Sequence, residues 1–466
     1  MKLTALFCLL LIQCVSNGYA QGNDIDFLIE KIRNAYAGYP GLTKNDKILF
    51  DKFAHKVAEE EETDTFRMLG KVAAYFDDHH LQVFKLSPPA ELAFDSFKCQ
   101  SLQNRLSGYF RDKAIRKDKY EGYWINDVKS TIIAIVRNKS KRDFYDIYYQ
   151  TARTALVPPG FKIGCIEKLP SGRYLMDFQS PRVNTRFFLR STFRNDSTLV
   201  TGDFTIWRKM ATNAKFDFPN TVAAPISTTS GKVLDNDNYL LTLPDFTGPN
   251  ISLVDSIVKA DSDKIKKSKT LILDIRNNLG GTVSTYRTLV PYIATRPIIP
   301  VAGYKYCSAD LLQHRRSQIA ELLKRKEVDT AKLSELVKDS SKIYNNLGKF
   351  VFEPGDTLKY DGTMPMPKNV AIITNFAVQS AAELMVLDFK QSKKVKVFGE
   401  NTLGAVDYLN AISFTLPSGQ YMMTLPTFKR EIPKGKKTID SIGITPDVTI
   451  PTLQENWVEF VKKYYE

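Results

Sequence analysis

Two short and almost purely apolar runs, Thr270–Ile275 and Val370–Thr374, constrain the fold of this chain most strongly. Each run has the length of one β-strand, and each is followed by a segment with helical character. Strands that are apolar on both faces and alternate with helices are typical of sheets that helices cover on both sides. From Tyr239 to its end, the chain is therefore predicted to form an α/β domain with a mixed, partly parallel sheet. Its other predicted elements are strands at Tyr239–Leu243 and Val395–Phe398, and helices at Ile251–Ile265, after Gly281 and at Ser380–Phe389.

Three regions are predicted to follow a short leader. Residues 21–107 show helical spacing of apolar residues, with Thr43 and Thr63 as helix caps, and then a strand at Leu81–Phe84. His80 is therefore expected where a helix gives way to a strand. Residues 108–238 change to short β-rich runs between turns, which predicts a barrel-like or sandwich domain. Residues 239–466 form the α/β domain, and two charged helical runs over residues 307–347 predict a helical hairpin inserted into it.

The leader, residues 1–20, has the pattern of a secretory signal peptide. Lys2 precedes an apolar run over Leu3–Val15, and small residues end the segment before Gln21. This predicts an exported protein, periplasmic or extracellular. Lipid anchoring at Cys14 is the less favoured alternative, because Gln13 stands where a lipoprotein signal has a small residue. No later stretch reaches the roughly 18 consecutive apolar residues of a membrane helix.

The formal net charge of +14 indicates a basic surface. Lys and Arg are scattered along the chain rather than gathered with aromatic residues, so nucleic acid is not expected as a partner. Beyond the leader the cysteines are Cys99, Cys165 and Cys307. An odd count in a chain of this size argues against a disulfide framework and allows at most one pair and a buried thiol.

Ser380 is the first candidate for chemistry. It stands directly after an apolar strand and at the first turn of a helix, where the amide of Ala381 and the helix dipole would favour a negative charge. The segment Ser380–Glu383 also has the pattern of a capping box, in which both side chains only satisfy main-chain amides. From this segment alone, capping is the stronger interpretation.

A pair of glycines, Gly280 and Gly281, follows the strand that ends at Ile275. Paired glycines allow a close approach of the backbone to a ligand and can present amides to an anion. An ordinary turn between a strand and a helix explains the pair as well. The spacing matches neither of the glycine-rich phosphate-loop patterns.

Histidine is scarce, and His79 or His80 is best placed for acid–base chemistry. With Asp77 and Asp78 the two histidines could also bind a metal, but adjacent strand residues point to opposite faces, so no metal site is predicted. The remaining two, His55 and His314, lie within helical patterns.

Four segments with chemical candidates stand in a fixed order: Leu273–Asn278 with Gly280 and Gly281, Ser380–Glu383, Gly399–Gly404, and Gly443–Asp447. In that order they resemble the motifs of the C-terminal-processing, or tail-specific, serine peptidases. The match spans residues 239–448, and Asp78–Leu81 resembles the Asp-x-His segment of the tricorn-like branch. The resemblance implies a ClpP/crotonase-like α/β catalytic domain, a polypeptide substrate and no cofactor or metal.

The resemblance also implies roles for individual residues. Members of the family that use a Ser-Lys catalytic pair have the lysine where this chain has Ala405. A Ser-Lys pair is therefore not expected in this chain. In the tricorn-like branch a histidine from the N-terminal part is the base and an acidic residue before the last motif orients it, which implies His80 and Asp440. Ser380 is then the nucleophile. The oxyanion-hole amides would be those of Gly280 or Gly281 and of Ala381.

The sequence thus predicts an exported serine endopeptidase that hydrolyses unfolded or extended polypeptides through a Ser-His-Asp triad. A binding protein on the same scaffold, which holds a peptide or an apolar ligand without cutting it, is the alternative. A precursor that awaits cleavage in the 307–347 hairpin is a third possibility. A one-residue slip in strand register would exchange His79 and His80. The oligomeric state is not determined.

Overall fold

The computed structural model describes residues 24–60, 64–76, 78–86, 93–126, 131–152, 157–169, 172–179, 186–201, 206–211, 228–358, 360, 362, 364–440, 442–450 and 456–466. The predicted signal peptide, Thr63 and Asp77 lie outside these residues. The described part contains helices, a closed antiparallel barrel and two further sheets. The predicted fold class, an α/β domain with an N-terminal helical piece and a barrel-like middle region, is confirmed.

Three helices form the N-terminal part: α1 (Asp24–Ala35), α2 (Lys44–Ala58) and α3 (Thr65–Ala73). Thr43 caps α2, as predicted, and its hydroxyl accepts a hydrogen bond from the amide of Asp46. The cap of α3 is Asp64, whose carboxylate accepts from the amide of Arg67. Apolar faces of these helices form one core with strand β1 (Gln82–Lys85).

A fourth helix, α4 (Ser96–Arg111), leads into the barrel and continues past residue 107. The barrel is closed by eight antiparallel strands in chain order around a core that contains Trp124 and Trp207. Closure leaves no free sheet edge, which a small β-rich region would otherwise expose. The strands are β2 (Gly122–Asn126), β3 (Thr131–Arg137), β4 (Phe144–Ala152), β5 (Lys162–Lys168), β6 (Tyr174–Gln179), β7 (Arg186–Asn195), β8 (Thr198–Thr201) and β9 (Ile206–Lys209).

The α/β region is built on a six-stranded sheet in which all neighbours except the first pair run parallel. Leu271 and Leu273 contribute to the larger core, whereas Ile272 between them contributes to a smaller core on the opposite face. Both faces are therefore buried, as the apolar runs predict. In spatial order the strands are β10 (Ser230–Val233), β11 (Asn238–Thr242), β12 (Thr270–Asp274), β15 (Asn369–Thr374), β16 (Val395–Gly399) and β19 (Val448–Thr449).

The helices of this region differ in part from the prediction. The helix expected near residues 251–265 is divided at Asp261 into α5 (Gly248–Ala260) and α6 (Ser262–Lys267). The segment after Gly281 begins as a 3₁₀ helix (Val283–Leu289), because its Val, Ser and Thr residues are weak helix formers. The remaining helices are α7 (Val290–Ile293), α8 (Ala309–Leu323), α9 (Thr330–Tyr344), α10 (Ala381–Phe389) and α11 (Trp457–Tyr465), and α8 and α9 form the predicted hairpin.

A second, antiparallel sheet joins the N-terminal part to the α/β region. Its longest strand, β18 (Tyr421–Arg430), pairs with β1 from the N-terminal part and with β17 (Tyr408–Thr415). The sheet is completed by β13 (Gly303–Tyr306) and β14 (Phe350–Glu353). The pairing of Gln82 with Thr424 fixes where the segment before β1, including His80, meets the α/β region.

The three described cysteines, Cys99, Cys165 and Cys307, are buried free thiols. No helix in the described part of the chain combines the length and the apolar character that a membrane span requires.

Arg67 on α3 joins the N-terminal helices to the barrel. Its guanidinium, only 8% exposed, donates to Glu167 on β5 at 2.5 Å and to Asp177 on β6 at 3.0 Å. Removing the guanidinium would take one of the two cations away from Asp177, which is itself only 7% exposed and is otherwise paired with Arg186.

We expect Arg67→Ala to lower the free energy of unfolding by about 3–5 kcal/mol, the usual cost of breaking a buried ion pair. The measurement is urea unfolding followed by circular dichroism. Lys98→Ala is the control, since Lys98 pairs with Asp95 at 3.6 Å with its side chain 84% exposed, and it should leave the midpoint in place. Equal midpoints for both variants would contradict this interpretation.

Candidate active site

Ser380 occupies a sharp turn between β15 and α10. Its backbone has φ 53° and ψ −124°, a conformation that side-chain-bearing residues seldom adopt. Such a strained turn between a strand and a helix lifts a nucleophile's hydroxyl out of the backbone around it. Ser380 is therefore more than a cap, although its amide does donate to Glu383 at 3.1 Å.

His80 lies on the turn between α3 and β1, as predicted, and reaches the same point from the other side. Its Nε2 is 3.2 Å from the Oγ of Ser380, within hydrogen-bond reach. The amide of His80 donates to Asp78 at 2.8 Å, and its carbonyl accepts from the hydroxyl of Thr424 at 2.8 Å. The main chain on both sides of the imidazole is thus fixed.

The surroundings of His80 favour the neutral imidazole. Burial, followed by the positive charge of Arg190, lowers the pKa of His80 to about 4, while hydrogen bonding to the backbone of Tyr408 acts in the opposite direction. A histidine with a lowered pKa is unprotonated at neutral pH. It can therefore accept a proton from the Ser380 hydroxyl.

The turn after β12 approaches Ser380 from a third direction. Its Asn278, fully buried, donates to the carbonyl of Leu243 at 2.8 Å and accepts from the amide of Gly280 at 2.8 Å. The carbonyl of Asn278 also accepts from the amide of Gln379 at 3.1 Å, next to Ser380. This leaves Gly281, not Gly280, as the glycine whose amide is available to the cleft.

Glu383 joins the nucleophile turn to the segment 402–405. Its carboxylate accepts from the hydroxyl of Thr402 at 2.5 Å and from the amides of Gly404 and Ala405, each at 2.8 Å, in addition to the amide of Ser380. Burial raises the pKa of Glu383 to about 7, and these four hydrogen bonds oppose the rise. The capping interaction predicted for Glu383 is therefore one part of a larger buried network.

Asp440 is presented by a loop that a buried ion pair holds in place. Arg430 donates to Asp407 at 2.9 Å, and Asp407 accepts from the amides of Ile439 and Asp440. Oδ1 of Asp440 in turn accepts from the amides of Val406 and Asp407 at 2.7 and 2.8 Å. Burial, with the negative charges of Asp407 and Asp78, raises the pKa of Asp440 well above its ordinary value.

Asp78 is the acidic residue whose side chain lies within 4 Å of the imidazole of His80. It is fully buried, and its Oδ1 lies 3.8 Å from Nδ1 of His80, beyond direct hydrogen-bond distance. Burial raises the pKa of Asp78 to about 6, against the positive charge of Arg190 and several hydrogen bonds. The negative charge of Asp78 also contributes to the raised pKa of Asp440.

An open cleft runs past these groups. Its lining contains Ser380, His80, Gly281 and Ala381, together with apolar side chains from three elements. None of the described lining residues is Asp, Glu, Lys or Arg. Nor do three described His, Cys, Asp or Glu side chains converge as metal ligands do. The apolar side chains are Leu279, Val283, Leu384, Leu409 and Ala411.

Sequence reasoning named the groups at the cleft but missed much of what surrounds them. It did not identify three parts of the site: Arg190, the β17–β18 hairpin, and the hydrogen-bond network around Glu383. Asp78 was considered only as part of a motif and as a possible metal ligand. An arginine on a barrel strand has no local signal that would single it out, because its contacts lie more than 100 residues away in the chain.

The catalytic class follows from a family match over this region. Residues 239–450 match the family model described as Peptidase family S41. The chain is therefore a serine peptidase by class, and residues 239–450 form its family S41 domain. This confirms the resemblance to C-terminal-processing serine peptidases.

Three solved structures that resemble the chain are remote from it in sequence. Mature CPAF complexed with lactacystin is 13% identical with a TM-score of 0.47, over 92% of this chain and 94% of that one. A putative peptidase from Parabacteroides merdae ATCC 43184 is 11% identical with a TM-score of 0.43, over 94% and 91%. The photosystem II D1 C-terminal processing protease is 13% identical with a TM-score of 0.39, over 92% and 93%. No curated protein matches the chain. These likenesses carry no argument about the site.

We expect Gly280→Ala to lower kcat by about 10²–10³, comparable to the loss of one oxyanion-hole donor. Gly280 has φ +87°, and an added Cβ would lie 2.9 Å from both the amide nitrogen of Ala381 and Cβ of Ser380. Gly348→Ala is the matched control, because Gly348 has φ +75° but no atom within 4 Å of the added Cβ. Hydrolysis of a reduced, carboxymethylated protein measures both. Equal kcat values would show that crowding beside Ser380 does not matter.

Proposed function

We propose that the chain is an exported endopeptidase that cuts extended polypeptides with a Ser380–His80–Asp440 triad. The observation that carries the proposal is the 3.2 Å contact between Nε2 of His80 and Oγ of the strained Ser380. A nucleophile and a base within hydrogen-bond reach, with buried acids behind the base, form the arrangement that acyl transfer requires.

In the proposed reaction, Oγ of Ser380 attacks a peptide carbonyl while Nε2 of His80 takes the hydroxyl proton. The same imidazolium then protonates the leaving amine, and water later hydrolyses the acyl-enzyme by the same steps in reverse roles. The amides of Gly281 and Ala381 donate to the developing oxyanion. Ala381 contributes from the first turn of α10, where the helix dipole also favours negative charge.

Asp440 is proposed as the acid that orients His80, with Asp78 as its rival. Two amides hold Oδ1 of Asp440, and the effect of Asp78 on its pKa supports a position near residues 78–81, the turn that carries His80 and is called the base loop below. Asp78 is close to the imidazole but also accepts from the amide of His80, a contact that shapes the loop. A carboxylate behind the base stabilises the imidazolium that forms in the transition state.

The substrate class and export rest on separate observations. A cleft that is open and lined by apolar and uncharged side chains fits a strand of unfolded polypeptide better than a folded surface. Export follows from the leader at residues 1–20, and an N-terminus at Gln21 in the secreted protein would support it.

Ser380→Ala should abolish labelling by a fluorophosphonate probe, because the probe reacts with an activated serine hydroxyl. His80→Ala should reduce kcat for a carboxymethylated protein by at least about 10³, since the base is removed. His79→Ala is the control for the neighbouring imidazole and should retain activity. If the wild type takes no label, the alternative of a non-catalytic peptide- or apolar-ligand-binding protein is favoured.

Asp440→Asn and Asp78→Asn separate the two acids. We expect Asp440→Asn to lower kcat by about 10³–10⁴, as for an acid that fixes the tautomer of the base, with little change in KM. Asp78→Asn should cost at least ten times less, because its amide oxygen can still accept from the His80 amide. The kinetics are measured on the same substrate, and the reverse order of losses would assign the orienting role to Asp78.

A further inference from the structure

Arg190 is a barrel residue whose side chain donates hydrogen bonds to residues outside the barrel. It stands on β7, where its backbone pairs with Leu175 of β6. Its guanidinium donates to the carbonyl of Ala73 at 2.8 Å, to that of Leu81 at 2.5 Å, and to that of Asp78. One side chain thus binds the last residue of α3 and both sides of the turn that carries His80.

The positive charge of Arg190 is stabilised by acidic groups around it. Asp78 and Asp440 both favour its charged form electrostatically, as does the phenol of Tyr36, whereas burial holds its pKa below the usual range. An arginine remains protonated at neutral pH in spite of such a shift. Arg190 is therefore a cation that interacts with both acids, and burial has raised the pKa of each.

A purely architectural role would predict contacts like those of Arg67, which binds acidic side chains between the helices and the barrel. Arg190 instead binds main-chain carbonyls of the base loop. A planar fork with several donors suits this task, because one guanidinium can fix several oxygens in a defined geometry. Lysine would keep the charge but could not reproduce these contacts.

We propose that Arg190 is a positioning residue of the peptidase, through which the barrel holds His80 at its distance from Ser380. The inference rests on the proposed function, because it requires His80 to be the base. It gives the middle region a catalytic task in addition to its architecture. It also makes the active site a product of three regions: the N-terminal turn, the barrel and the α/β domain.

The proposal is tested by comparing Arg190→Met with Arg190→Lys and with Arg186→Met. Arg186 stands on the same strand and binds Asp177 and Asp64, the cap of α3, so it controls for loss of a charge that joins β7 to the N-terminal helices without contacting the His80 turn. We expect Arg190→Met to lower kcat by about 10²-fold, the cost of displacing a catalytic group by about 1 Å, with KM little changed. Arg190→Lys should recover part of kcat, and Arg186→Met should stay within about threefold of wild type, as for a residue outside the base loop.

The pH dependence of kcat/KM is a second measurement, and a loss of stability alone would not shift its acid limb. His80 faces Asp78 on its own turn, Arg190 from β7 and Tyr408 from β17, with Tyr36, Arg173 and Asp440 in the surrounding cluster. Removing the cation of Arg190 removes a charge that lowers the pKa of His80. The acid limb of kcat/KM should therefore move to higher pH in Arg190→Met and stay near the wild-type position in Arg190→Lys.

Two outcomes would overturn the proposal. The first is an Arg190→Met enzyme with wild-type kcat and an unmoved acid limb. The second is failure of both Arg190 variants to fold, judged by circular dichroism, which would make the residue architectural. Fluorophosphonate labelling of the wild type is measured first: no label means that the proposed function itself is wrong, whereas a labelled enzyme with normal Arg190 variants rejects this inference alone.

Discussion

The contact between His80 and Ser380 is the constraint on which the rest of the site depends. The two residues are 300 positions apart, and they are held in different parts of the fold. Their 3.2 Å approach requires β1 to pair with β18 in the observed register, because a shift of one residue would present a neighbouring side chain instead. The antiparallel sheet is therefore as much a part of the active site as the parallel sheet that carries the nucleophile.

Burial of the acids gives the site its second constraint. Burial, with the negative charges of Asp407 and Asp78, makes Asp440 costly to ionise, and main-chain amides that donate to all three carboxylates offset part of the cost of burying them. Arg430 neutralises Asp407, and Arg190 faces the other two. A cluster of this kind tolerates little displacement, because each buried charge depends on its hydrogen bonds. Burial and the positive charge of Arg190 keep the nearby imidazole of His80 neutral.

The sequence was informative where chemistry and periodicity are local. The apolar runs at β12 and β15 predicted buried parallel strands, and the ordered motifs predicted Ser380 and the glycine turn. The strands β13, β14, β17 and β18 were not predicted, since antiparallel pairing between distant segments is set by tertiary contacts rather than by local pattern. Arg190 was not predicted for the same reason, because its contacts lie far away in the chain. Asp440 could be named only through the family resemblance.

The surroundings of Ala405 leave no place for a lysine base at this position. Ala405 is only 1% exposed, and its amide donates to Glu383. A lysine side chain here would have to enter a buried network whose carboxylate already accepts four hydrogen bonds. The network instead fixes the amide end of the nucleophile turn. In the proposed mechanism the proton acceptor comes from outside the α/β domain, on the His80 turn, so activity would depend on correct docking of the N-terminal helices and the barrel.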